Sequence, residues 1–119
     1  MLPKKYRLPA KDFQFLYKNG LKVRGKFGML IFKSNRKDSP LFGFVVSKKV
    51  GNAVTRHRMT RLLRAISMEA VKEMDLENKA VSFEYIAFIF CDDYSQLKDE
   101  FFYQVKKFLS NEENSFKSN

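Results

Sequence analysis

Residues 47–64 read SKKVGNAVTRHRMTRLLR and combine a lysine pair, a Gly-Asn turn and four arginines. Apolar residues recur beyond the turn at the spacing of one helix face, at Met59, Leu62, Leu63, Ile66, Ala70 and Met74. At about 100° per residue, the positions roughly opposite this face are His57, Thr60, Arg61 and Arg64, flanked by Arg56 and Arg58. The stretch therefore predicts a turn that leads into an amphipathic helix over about 52–74, with a row of arginines on its free face.

The segments on either side predict three strands and two further helices. Strands are expected over 21–33 and 41–47, joined as an antiparallel hairpin by the turn-forming residues 34–40. The β-branched and aromatic run 81–91, with Glu84 as its one charged member, predicts a central strand buried on both faces. Helices are expected over 11–19, ended by a left-handed cap at Gly20, and over 97–109.

These elements predict an α+β sandwich in which helices pack against one sheet. We find no repeat, linker or low-complexity segment, so residues 1–119 are expected to form one domain. Its first ten residues are expected to be a basic, extended leader. The polar residues 110–119 are expected to be a frayed tail.

Composition indicates a soluble cytoplasmic protein. The content of 45% hydrophobic residues is sufficient for a core. A lone Cys91 cannot form an internal disulfide, and one Cys with one His cannot supply a structural zinc site, which indicates a reducing compartment. No segment has the length of a signal peptide or membrane span, and no membrane partner is expected.

The charge is concentrated in the first half of the chain. The net charge is +10, but residues 1–64 hold seventeen Lys and Arg against two acids, whereas the remainder holds six against eleven. A surface with so many uncompensated cations attracts polyanions, so nucleic acid is the first partner to consider. A merely solvated basic surface and, less favoured, an anionic membrane surface are the alternatives.

The residue pattern favours a binder over a catalyst, and RNA over DNA. Neither clustered carboxylates nor paired histidines accompany the basic half, and no phosphate loop or nucleophile motif is present. A strand and a turn, not a helix, precede the basic helix, which disfavours a helix-turn-helix DNA reader. Phe13 and Tyr17 are one turn apart and could either join the core or stack on unpaired bases.

The same residues resemble the signature of a known family, the bacterial ribonuclease P protein component. The resemblance lies in Ser47-Lys48-Lys49-Val50-Gly51-Asn52-Ala53-Val54 followed by Arg56-x-Arg58-x-x-Arg61-Leu62-x-Arg64. Asp12-Phe13 with Tyr17 and Gly20 resembles the family's first helix, and residues 43–47 resemble its strand into the signature. The likeness covers about residues 7–109.

The resemblance implies a four-stranded sheet with three helices and a left-handed βαβ crossover, the ribosomal protein S5 domain 2-like fold. It implies an accessory subunit without catalytic residues of its own, in an enzyme whose RNA uses Mg²⁺ to remove the 5′ leader of precursor tRNA. The implied contacts with the catalytic RNA are Lys48, Lys49, Asn52, Arg56, His57, Arg58, Arg61 and Arg64. The implied lining of the cleft for the single-stranded leader is Phe13, Tyr17, Val45 and Ser47, with Phe32 or Ile31 as a further member; we assign Phe32.

Two positions depart from the family pattern, which usually has asparagine at His57 and lysine at Thr60. The predicted partners are the catalytic RNA and precursor tRNA, with Mg²⁺ bound by the RNA and no metal or obligate protein partner for this chain. A ribosome-associated RNA-binding protein and a protein-only nuclease remain as alternatives. Only a stimulating subunit would raise precursor cleavage by the RNA without cutting RNA by itself.

Overall fold

The computed structural model describes residues 2–117, with side chains described through residue 112. Within this range lie three α-helices and four strands. Their bounds are α1 Phe13–Asn19, α2 Ala53–Glu73, α3 Tyr94–Lys117, β1 Leu21–Arg24, β2 Gly28–Ser34, β3 Leu41–Val45 and β4 Val81–Ala87. The strand order across the sheet is β1-β2-β4-β3, which confirms the predicted four-stranded sheet with three helices.

The hairpin of this sheet lies earlier in the chain than expected. The predicted strand 21–33 is divided by a turn at residues 25–27 into β1 and β2, which pair antiparallel with Leu21 opposite Phe32. The predicted pairing of this segment with 41–47 is wrong, because β4 lies between β2 and β3. β4 pairs antiparallel with β2 and parallel with β3. Its central position is confirmed, although it ends at Ala87.

The βαβ unit of the fold consists of β3, α2 and β4. β3 and β4 are parallel neighbours, and α2 connects them across one face of the sheet. Because parallel neighbours require such a crossover, α2 begins beside the carboxyl end of β3, where the chain leaves the sheet. The predicted helix bounds differ from the observed ones by one residue at each end.

The sheet separates two apolar cores. On one face, α2 and α3 cover the larger core, which includes Leu30, Phe42, Leu63, Phe83 and Phe101. On the other face, α1 covers a smaller core made of Leu8, Leu16, Met29, Ile31 and Leu41. Because side chains alternate along a strand, this second face presents only every other residue of each strand to α1.

Both ends of the chain are more ordered than predicted. The leader contains 3-10 turns at Lys4–Tyr6 and Ala10–Asp12, and Leu2, Tyr6 and Leu8 are buried, so it is not simply extended. The helix expected to end at 109 continues to Lys117, so the backbone of residues 110–117 is helical. The last two residues of the predicted tail lie outside the described residues.

Gly20 ends α1 for a different reason than predicted. Its backbone is extended, at φ −81° and ψ 162°, and not left-handed. A Cβ at this position would lie 2.5 Å from Ile31 Cγ2 and 2.8 Å from the carbonyl oxygen of Leu16. The close approach of helix end and strand, not a positive φ, therefore favours glycine.

Two polar side chains of α3 hold the turn between β1 and β2. The Glu100 carboxylate accepts a hydrogen bond from the Phe27 amide at 3.0 Å. Gln104, which is fully buried, donates to the carbonyl oxygens of Val23 and Gly28, each at 3.0 Å. These bonds fix the edge strand β1 and with it the positions of the cations on that strand.

Candidate nucleic-acid interface

The turn at residues 47–52 leads into α2 and contains the N-cap of that helix. The Ser47 carbonyl accepts from the Val50 amide at 3.0 Å, which closes the turn. Asn52 is the N-cap of the helix, and its Oδ1 accepts from the Thr55 amide at 2.9 Å. A Cβ at Gly51 would lie 2.8 Å from Thr55 Cγ2, so the residue before the cap must be small. Asn52 therefore has a structural role, whatever it does toward RNA.

Arg56 differs from the other predicted contact residues because it is half-buried at the edge of the packed face. Its Nε donates to the carbonyl oxygen of Gly51 at 3.2 Å, and its own carbonyl accepts from the Thr60 hydroxyl at 2.8 Å. One donor of the guanidinium is thus used to brace the turn. The terminal nitrogens remain for a phosphate, held in a fixed direction.

The arginine surface comprises the exposed or half-buried cations of residues 48–64. His57, Arg58 and Arg61 line a shallow depression of about 390 Å³ together with Ala53 and Val54. Lys48 and Lys49 are exposed in the turn, and Arg64 is half-buried one turn along the helix.

A single salt bridge, within the described part of the chain, involves the arginine surface. Arg58 lies 3.9 Å from Asp92, and both side chains are more than half exposed. An exposed pair of this kind is worth about 1 kcal/mol or less, so Arg58 can exchange it for a phosphate.

The residues predicted to line the leader cleft lie on the other face of the sheet, on α1 and at the carboxyl end of β3. Phe13 lies directly over Gly43 of β3, since a Cβ there would lie 2.3 Å from Phe13 Cζ. Val45, two residues further along β3, is half-buried, while Tyr17 of α1 and Ser47 are exposed. The structure therefore brings Phe13 close to β3, near Val45, and keeps Tyr17 on the exposed side of α1.

Three residues missed by sequence reasoning lie on the same face of the sheet. Arg24 of β1 is on the row of Met29, Ile86 and Val45, and its guanidinium carbon lies 5.1 Å from the centre of the Phe88 ring. Lys22 Nζ lies 4.9 Å from the centre of the Tyr17 ring. These cation–π pairs place charge beside aromatic rings, an arrangement suited to a single strand. Arg24 and Phe88 meet only through the pairing of β1, β2 and β4, whereas Lys22 and Tyr17 are five positions apart in sequence and meet at the end of α1.

Phe32 does not line this cleft, contrary to our assignment. It lies on the face covered by α2 and α3, where its ring meets Phe108 edge-on at 5.4 Å between centroids. Ile31, its neighbour, faces α1 but is fully buried in the smaller core. The alternation of side chains along β2 decides between the two, and the sequence pattern of four consecutive apolar residues did not reveal that alternation.

A buried carboxyl group lies beneath α1 in the middle of the sheet. Glu84 of β4 is between Ile31 and Gly43 and is only 3% exposed. Its Oε1 has no hydrogen-bond partner among the described residues. Burial raises the pKa of Glu84 to about 7, although Lys22, in the same row, acts in the opposite direction.

The residues that the structure describes contain no group of three or more His, Cys, Asp or Glu side chains arranged to hold a metal ion. None of the helices in this range combines the length and the apolar character needed to cross a membrane.

The fold is that of a small basic α+β protein with an arginine-rich crossover helix on one side of the sheet and the aromatic residues Phe13 and Tyr17 of α1 on the other. The sequence profile of the family described as Ribonuclease P matches residues 2–109. The chain belongs to this family.

Individual relatives agree with this placement. The ribonuclease P protein component of Syntrophomonas wolfei is 37% identical over 70 residues, which are 58% of this chain and 59% of the relative. That of Fusobacterium nucleatum is 42% identical over 53 residues, 44% of this chain and 48% of the relative. The chain thus spans about half the length of these curated relatives.

The fold is similar to solved structures over most of both chains. The ribonuclease P protein of Staphylococcus aureus superimposes with a TM-score of 0.65 at 30% identity, covering 89% of this chain and 92% of that one. A mutant of the S. aureus protein with defective mRNA degradation activity gives a TM-score of 0.71 at 26% identity, covering 87% of each chain.

Proposed function

We propose that this protein is the accessory subunit of a cytoplasmic ribonuclease P, in which a catalytic RNA removes the 5′ leader of precursor tRNA. The arginine surface binds the catalytic RNA, and the cleft between α1 and β3 binds the single-stranded leader. Mg²⁺ acts in the RNA, which supplies the hydrolysis chemistry. The protein raises precursor affinity and supports the metal-bound form of the RNA.

The proposal depends on one observation. The arginine surface and the residues of the proposed cleft meet at the carboxyl end of β3. Val45 lies at the cleft, and the turn 47–52 leads from it directly to the cap of α2 and the arginine surface. A strand of RNA in the cleft would therefore emerge beside the residues that bind the catalytic RNA. Two neighbouring sites of this kind suit a protein that joins a substrate leader to a folded RNA.

The cleft offers contacts that suit a flexible single strand. Phe13 and Tyr17 provide ring faces for stacking, which does not depend on base identity. Lys22 and Arg24 provide cations for the phosphates between the bases. The half-buried Val45 forms part of an apolar floor that excludes water from a stacked base.

Reconstitution tests the proposal. Catalytic RNA of the family and precursor tRNA are combined at limiting Mg²⁺ with and without the protein, and cleavage is followed by gel. We expect stimulation in the complex, no cleavage by the protein alone, and tighter binding of precursor than of mature tRNA. Cleavage by the protein without RNA, or an unchanged rate when it is added, would exclude the proposed role.

A further inference from the structure

A second groove lies along the side of α1 that faces away from the proposed leader cleft. It has a volume of about 330 Å³, and its apolar floor is formed by Leu8, Leu16 and Leu41. Leu41 and Val45 are four positions apart on β3, which corresponds to about 13 Å of strand. The groove and the cleft thus open on the same face of the sheet, on either side of α1.

The rim of this groove is cationic. Lys33, Arg36 and Lys37 line it, against the single acid Asp12. Within the described part of the chain, none of these three cations takes part in a salt bridge. Their charge is therefore free to pair with phosphate groups.

The loop that carries Arg36 and Lys37 is held in shape by Asn35. The Asn35 amide oxygen accepts from the Lys37 backbone amide at 2.9 Å. Its side-chain nitrogen donates to the carbonyl of Ser39 at 3.2 Å and to Ser82 Oγ at 3.1 Å. The two cations are thus presented from a braced loop, which reduces the entropy lost when they bind.

Phe15 of α1 completes the groove. It is 57% exposed, whereas Leu16 beside it is buried in the smaller core. A base can stack on the face of the Phe15 ring, with the edge of the base against the apolar floor. The cations of the rim then contact the phosphates on either side of that base. An acidic peptide could use the cations but would leave the ring without a stacking partner.

We propose that this groove is a second binding site for a nucleotide of single-stranded RNA, with Phe15 as the stacking residue and Lys33, Arg36 and Lys37 as phosphate contacts. This assignment rests on the proposed function. The strand in the groove is the part of a long precursor leader that extends past α1. Precursors with long leaders then gain affinity that those with short leaders cannot gain.

The test compares precursors with leaders of about three and about twelve nucleotides in the reconstituted enzyme. We expect Phe15→Ala, and separately Arg36→Ala with Lys37→Ala, to weaken binding of the long-leader precursor about tenfold and to leave the short-leader precursor unaffected. Matched controls lie on α3, where the exposed Tyr103 has Lys107 over its ring at 5.0 Å. Tyr103→Ala, and Lys106→Ala with Lys107→Ala, should bind both precursors as the parent does.

A second measurement separates failure of this site from failure of the proposed function. Binding of a fluorescent single-stranded RNA of about twelve nucleotides to the protein alone is followed by anisotropy. Loss of about tenfold in Phe15→Ala supports the groove even if the reconstituted enzyme shows no stimulation. Any one of three results would overturn the proposal. These are an unchanged affinity of Phe15→Ala for this RNA, equal effects of the substitution on both precursors, and competition by a polyglutamate peptide as strong as that by RNA.

Discussion

Glu84 shows how one residue can make stability depend on pH. Its pKa is raised from 4.5 to about 7, so the folded state holds the proton more tightly than the unfolded state does. Below pH 4.5, Glu84 therefore does not lower the free energy of unfolding. The free energy of unfolding then falls as the pH rises from 4.5 to about 7. The full loss is about 3 kcal/mol at most, since each pKa unit corresponds to about 1.4 kcal/mol.

Glu84→Gln should remove this pH dependence. We expect the variant to be within about 1 kcal/mol of the parent at pH 5 and about 2 to 3 kcal/mol more stable at pH 8, because it never carries the buried charge. Urea unfolding at several pH values measures the difference. Glu77→Gln, at an exposed position, is the control. Parallel stability curves for parent and Glu84→Gln would show that Glu84 is not the group responsible.

Gly43 and Phe13 form a second residue-scale pair that can be tested. Gly43→Ala would bring a Cβ to 2.3 Å from Phe13 Cζ and 2.9 Å from Leu8 Cδ2. The ring must move, so we expect a loss of stability of about 1 to 3 kcal/mol and weaker preference for leader-bearing precursor over mature tRNA. Thermal unfolding and competition binding measure the two effects.

The double variant decides whether the effect of Gly43→Ala runs through Phe13. Adding Phe13→Leu relieves the contact, so stability should partly return while the leader preference does not. If the two substitutions are additive in stability, the ring does not mediate the effect.

Asn52 acts at the scale of an element, because it is the cap of α2. Asn52→Ala should lower the free energy of unfolding by about 1 kcal/mol, because it removes the hydrogen bond to the Thr55 amide.

Asn52→Asp keeps a capping oxygen and suits the helix dipole, so stability should be retained. It also places a negative charge beside the arginine surface, so affinity for the catalytic RNA should fall. Urea unfolding and RNA filter binding separate these effects, and a stable Asn52→Ala with reduced RNA affinity would identify a direct contact instead.

At the same scale, the sequence pattern predicted α2 well and the hairpin poorly. The heptad-like apolar spacing from Met59 to Ala70 and the cap residue Asn52 are local signals, so they gave the helix bounds to within one residue. The turn-forming residues 34–40 marked a real loop but could not show which strands it places side by side. The division of β1 from β2 was marked only by Gly25 and Gly28, and Glu100, which accepts a hydrogen bond from the Phe27 amide in this turn, is 73 residues away in sequence.

For the candidate site, too, the sequence predicted one part well and the other poorly. The arginine surface is contiguous in sequence, and all of its predicted residues lie in the turn or on α2. The proposed cleft draws residues from α1, β1 and β3, which are not contiguous in sequence, and Arg24 meets Phe88 only through the pairing of β1, β2 and β4. Phe32 was misplaced because a one-residue difference on a strand changes the face.

For the whole molecule, charge should dominate RNA affinity. If the six lysines and arginines of the arginine surface neutralise about six phosphates, log affinity for the catalytic RNA should fall with log salt at a slope of about −4 to −5. Arg61→Ala with Arg64→Ala should make the slope shallower by about 1 to 2. Lys106→Ala with Lys107→Ala, on the exposed surface of α3, should leave it unchanged. An affinity that does not vary with salt would contradict an electrostatic interface.

The strand order β1-β2-β4-β3 also has a consequence for how the chain folds as it is synthesised. β2 and β3 cannot share a sheet until β4 enters between them, and the pairing of β4 with β2 brings together Phe83 and Phe32, which are 51 positions apart in the chain. Until residue 87 has left the ribosome, both β2 and β3 keep an unpaired edge, and the apolar face of α2 has no complete sheet to cover it. Folding must therefore wait for a late, non-local pairing, and the nascent chain carries an exposed arginine helix before it has a finished core.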